Sequence, residues 1–90
     1  MTVDEIIENV IKICNEYQVK KVILFGSRAK GTATDRSDFD LAVSGVSDFE
    51  KLQDAIDEIP TLYSFDIINM DTCKNALLLK EIEEYGRKIL

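Results

Sequence analysis

The stretch KVILF, residues 21–25, does most to constrain how this chain can fold. A continuous apolar run of this kind suits a central β-strand covered on both faces. The flanking sequence supplies partners and cover. Thr2 with Glu5 forms a capping box, opening a helix with an apolar stripe of Ile6, Ile7, Val10, Ile11, Cys14 and Tyr17. DFDLAV, residues 38–43, alternates as a second strand. Ser47 and Glu50 make a second capping box, before a helix burying Phe49, Leu52, Ala55, Ile56 and Ile59 and halted by Pro60. YSFDIINM reads as a third strand. Asp71 or Thr72 caps a last helix with Leu78, Ile82 and Tyr85 on one face and Gly86 as its stop. RKIL adds a short final strand. The expected fold class is α/β (α+β): a small mixed β-sheet with helices packed on it, in one domain spanning 1–90.

Composition narrows the function. The chain has 90 residues, 46% of them apolar, which is globular and too short for a second lobe. No apolar run approaches the roughly 20 residues of a membrane span, and the N-terminus is acidic rather than basic. Cys14 and Cys73 form no C-x-x-C and are expected in or near the core rather than in a disulfide. A cytoplasmic location follows. With no histidine, triads and histidine-bound metals are excluded, so chemistry must run on carboxylates, hydroxyls and cations. A net charge of −6 argues against direct nucleic-acid binding.

The stretch FGSRAKGTATDRSDFDLAV then stands out. On a strand, Asp38 and Asp40 point to the same face, with α-carbons about 6.5 to 7 Å apart. Carboxylates converging to about 4 Å repel by about 1 kcal/mol in water and about 4 kcal/mol at a typical protein dielectric. Either one takes a proton or a cation sits between them. A hard divalent ion, above all Mg²⁺, resolves the conflict. Taken singly, Ser37 and Asp38 also suit a turn at a strand entrance, and Asp40 a solvent-facing position. Asp40 nevertheless interrupts a segment otherwise apolar from Phe39 to Val43.

Gly26 ends the buried strand, and Ser27 can cap a short helix from Arg28. Such a turn leaves backbone N–H groups for an anion. A Gly-Ser pair after a strand is also a common turn. Here Arg28, Lys30 and Arg36 follow in a chain that is acidic elsewhere. Arg36 reads as a solvated loop charge, while Arg28 and Lys30 suit phosphate contacts.

The turn would hold a polyphosphate and the aspartates a Mg²⁺ bridging its oxygens, the equipment for phosphoryl or nucleotidyl transfer. Asp66, isolated among the apolar residues of SFDIIN, is the third acidic candidate, since an unpartnered buried charge costs several kcal/mol. An edge strand exposing Asp66 to water is the competing reading.

GS, ten residues, then DFD resembles the signature of the DNA polymerase β-like nucleotidyltransferase superfamily, with Asp66 where its third catalytic aspartate is expected. Chain length and the closing EEYGRKIL resemble the minimal nucleotidyltransferase (MNT) proteins. Those are encoded beside HEPN-domain proteins and act as antitoxins; members with intact motifs transfer AMP from ATP to a tyrosine of the HEPN toxin. The resemblance implies that Gly26 and Ser27 hold the triphosphate and that Asp38 and Asp40 bind Mg²⁺. Asp66 would complete the metal site or act as base. Two positions depart from the pattern. Lys30 stands where arginine is frequent, and RKIL stands where an aromatic terminus is often seen.

Three functions are compatible with these features. They are adenylylation of a cognate HEPN toxin, contact-only neutralisation by a binding module of the same fold, and transfer to a small molecule. The missing second lobe counts against the third. A chain this small needs another protein to supply the acceptor hydroxyl; the apolar helical surface around NALLLKEI suits a core role by default, or else that partner or a homo-oligomer.

Overall fold

The computed structural model describes residues 2–26 and 38–90. Helix α1 (Val3–Glu16) leads into strand β1 (Lys21–Phe25). Strand β2 (Phe39–Ser44), helix α2 (Phe49–Asp57), strand β3 (Phe65–Asn69), helix α3 (Ala76–Tyr85) and the two-residue strand β4 (Arg87–Lys88) follow. The sheet order is β3-β2-β1-β4. β1 is antiparallel to β2 and β4, whereas β2 and β3 are parallel, so the sheet is mixed. α2 provides the crossover that a parallel pair requires. Among the described residues, no helix is long and apolar enough to cross a membrane.

KVILF is the interior strand that its apolar run calls for. Val22 and Leu24 enter one cluster with Ile6, Val10 and Cys14 of α1 and Leu52 and Ile56 of α2. Ile23 and Phe25 face the other way, joining Ala42 and Ile82 of α3. One face of the sheet thus carries α1 and α2, and the other carries α3. β2 follows the same alternation, with Phe39, Leu41 and Val43 on the first face and Ala42 on the second. β3 sends Ile67 to the first and Ile68 to the second.

The predicted Thr2–Glu5 capping box is present in both directions, at 3.2 Å each way. Ile13, rather than Ile11, joins Ile7 and Tyr17 at the margin of the core cluster. The second capping box, Ser47 with Glu50, does not form. Asp48 is the N-cap of α2, accepting from the Lys51 N–H at 3.1 Å, because its carboxylate competes for the same free amides one residue later. Neither Asp71 nor Thr72 caps α3; Asn75 does, accepting from the Leu78 N–H. Asp71 is engaged elsewhere: Ser44 Oγ donates to one carboxylate oxygen and the Gly45 N–H to the other, both at 2.8 Å. It therefore ties the end of β3 to the turn after β2.

Gly86 ends α3 as expected, but in extended rather than left-handed backbone, at φ −71° and ψ 151°. Its reason is space: a Cβ there would strike the Ile82 carbonyl oxygen and Ile23 Cγ2. Tyr85, expected on the apolar face of α3, is 56% exposed.

Candidate functional site

Asp40 follows from the strand alternation. With Phe39 and Leu41 turned to the α1–α2 core, Asp40 turns to the α3 face, ahead of Ala42. Asp66 takes the same face of β3, between Phe65 and Ile67 of the first cluster. The register then pairs Asp40 with Asp66 directly across the parallel β2–β3 ladder. Neighbouring strands lie about 4.8 Å apart, so the two carboxylates leave the sheet side by side. Beneath them, on the opposite face, their register neighbours Phe39 and Phe65 stack at 5.4 Å between ring centroids. Tyr63 meets Phe39 edge-on at 5.5 Å. This aromatic group anchors the strand ends that carry the acids.

Asp38 precedes β2 and is exposed. Asp40 and Asp38 are therefore not two positions of one strand, as the spacing alone suggested, but a strand residue and the residue leading into it. They remain electrostatic neighbours. The Asp40 carboxyl is held above the usual carboxylate range, first by its partial burial, then by the charges of Asp66 and Asp38. A hydrogen bond with Asp66 and the charge of Glu81 act in the same direction.

Asp66 itself is exposed, and β3 is the edge of the sheet. The buried, unpartnered charge that marked Asp66 in the sequence is thus not its condition; what singles it out is the pairing with Asp40.

Gly26 closes the site on the β1 side. Phe25 pairs with Asp40, which places the following residue against the Asp40 side chain. Gly26 has φ +73°, and a Cβ there would collide with Asp40 Oδ2 and lie 3.1 Å from its Cγ. Ser27, Arg28 and Lys30, the other residues expected to hold phosphates, lie outside the described residues, as do Arg36 and Ser37.

Glu81 was not singled out by sequence. It sits in the charged run KEIEE and resembles any solvated helix residue, but α3 carries it into the electrostatic field of Asp40. Only the tertiary placement of α3 reveals this.

Chemically, the mouth gathers oxygen donors whose mutual repulsion a hard cation would relieve. Among the described residues, no group of three or more acidic or thiol side chains converges into an ion-binding cluster.

Comparison with known proteins shows the family and the fold. Residues 8–90 match the family described as polymerase beta, nucleotidyltransferase. A candidate protein adenylyltransferase of Methanocaldococcus jannaschii is 32% identical over 83 residues, spanning 91% of this chain and 82% of that protein. Among solved structures, a toxin–antitoxin crystal structure with AMP-PNP matches with a TM-score of 0.70 at 22% identity. The match covers 93% of this chain and 72% of that one. A variant of the MntA-HpeT toxin–antitoxin matches with a TM-score of 0.68 at 20% identity, over the same shares. At these identities the structural likeness is one of fold. The family match extends over nearly the whole sequence and includes Gly26, Asp38, Asp40 and Asp66: the chain belongs to the polymerase β nucleotidyltransferase family.

Proposed function

We propose that this chain transfers AMP from ATP to a tyrosine hydroxyl of a HEPN-domain toxin, in a Mg²⁺-dependent reaction, and is the antitoxin of that pair. The observation that carries the reading is the in-register pairing of Asp40 with Asp66 beside Gly26. It supplies paired carboxylates next to the glycine that ends β1. The kinship with the Methanocaldococcus jannaschii protein supports adenylylation of a protein. The fold likeness to toxin–antitoxin structures, one of them with AMP-PNP, supports a toxin partner and ATP.

In this reading Asp38 and Asp40 would hold Mg²⁺, and Asp66 would complete the site or act as base. The ion would neutralise charge building on the phosphate oxygens. Gly26, Ser27, Arg28 and Lys30 hold the triphosphate. The acceptor oxygen attacks the α-phosphorus, forming the new P–O bond as the bond to the bridging oxygen of the β-phosphate breaks. Pyrophosphate leaves, and the hydroxyl proton passes to the Asp66 carboxylate. The work falls on positioning and charge. The setting is cytoplasmic, and nothing in it requires a membrane or nucleic acid.

The test uses ATP labelled on the α-phosphate, Mg²⁺ and the protein that co-purifies from the native host. Wild type is compared with Asp38→Asn/Asp40→Asn after both are shown to bind the partner. Label on the partner with wild type alone is expected. Neutralisation of the toxin by the double variant at normal expression would instead favour inhibition by contact.

A further inference from the structure

Tyr85 occupies an unusual position for a residue of its arc. Leu78, Ile82 and Tyr85 follow the i, i+4, i+7 spacing of one helix face. Ile82 is buried and Leu78 packs beside it against Ile23, Phe25 and Ala42. Tyr85 is nonetheless exposed, the one aromatic side chain among the described residues that is. More than half of its surface is therefore open, although Ile82 on the same arc is buried.

The place it reaches is defined by the sheet. Two residues on, Arg87 pairs with Leu24 of β1, and the next step of β1 is Phe25, paired with Asp40. From Leu24 to Gly26 is about 7 Å of strand. One helical turn before Tyr85 is Glu81, which lies within the field of Asp40. Tyr85 thus shares the Glu81 side of α3, and the short step from α3 into β4 brings it towards the Gly26 end of β1.

We propose that Tyr85 is the base platform of the nucleotide site: its ring stacks against the base of the nucleoside triphosphate whose phosphates are held at the Gly26–Asp40 mouth. The inference rests on the nucleotidyl-transfer reading and adds the element that grips the base. Stacking on an aromatic ring holds any base by its π-face and favours the larger purines.

Calorimetry with Mg²⁺ and ATP, GTP, CTP or inorganic tripolyphosphate tests this on wild type, Tyr85→Ala and Tyr85→Phe. Wild type should bind ATP and GTP more tightly than CTP, and all three more tightly than tripolyphosphate. Tyr85→Ala should weaken ATP about tenfold, the low-to-middle range for one stacked base, and leave tripolyphosphate unchanged. Tyr85→Phe should keep wild-type affinity for both. Equal weakening of ATP and tripolyphosphate in Tyr85→Ala, or no weakening of either, overturns the assignment. So does equal binding of all four ligands by wild type, a result that needs no variant. Binding of none of the four by wild type overturns the nucleotidyl-transfer reading as well, whereas tight tripolyphosphate binding with no base preference overturns only the platform.

Discussion

The Asp40 carboxylate occupies the space that a side chain at residue 26 would need. Glycine at this position is therefore a condition for Asp40 to stand beside Asp66, in addition to allowing the left-handed backbone at φ +73°. Gly26→Ala should lose about 1–2 kcal/mol from left-handed backbone strain and turn the Asp40 carboxylate aside. Chemical denaturation would measure it, and a loss below that of an ordinary surface glycine would refute the close approach.

Asp40 carries a cost at neutral pH. Its folded-state pKa is raised, so the contribution is most favourable where the carboxyl is protonated and declines as pH rises through the folded value. Asp40→Asn keeps the shape without the charge and should raise the Tm at pH 7, with the advantage disappearing in acid. Mg²⁺ should raise the Tm of wild type more than that of the variant. A lower Tm for Asp40→Asn at pH 7 without metal would contradict the repulsion described above.

Asp71 has the opposite sign. The Gly45 N–H and the Ser44 hydroxyl hold its carboxyl below the usual range. Its stabilisation is present above the ordinary carboxylate pKa and is lost as pH falls through the lower folded value. Asp71→Asn should melt earlier than wild type at pH 7, and the two melting curves should converge on acidification. Parallel curves at every pH would show that the clasp is not ionic.

The two cysteines should separate cleanly in reactivity. Cys14 is fully buried, and burial pushes its thiol up to about 11, while Cys73 is partly accessible. A thiol-reactive disulfide reagent at neutral pH should modify Cys73 in the folded protein and reach Cys14 only on unfolding. Equal rates for both in native buffer would mean that the α1 face opens readily.

The strands were legible because their signals are local: KVILF, DFDLAV and SFDIIN are apolar enough to announce themselves. Helix starts were less so, since several residues able to cap stand together. Ser47 and Asp48 compete within one turn, and Asp71 is recruited by the distant Ser44–Gly45 turn, leaving Asn75 to cap α3. The acidic residues themselves could be named from spacing and family likeness. Their arrangement could not, because the Asp40–Asp66 pairing depends on a parallel register set across α2. Glu81 had no local mark at all. Tyr85 followed the apolar periodicity, and only the packing of α3 shows that it is exposed.

The parallel register of β2 and β3 also ties assembly to competence. Side chains alternate with a period of two, so a slip by one residue in either strand would turn Asp40 or Asp66 into the aromatic and aliphatic interior and push Phe39 or Phe65 out. A chain paired wrongly here would lose its acids and its core in the same event. Folding thereby proofreads the acidic pair: a molecule stable enough to persist already carries its two carboxylates at the spacing of adjacent strands.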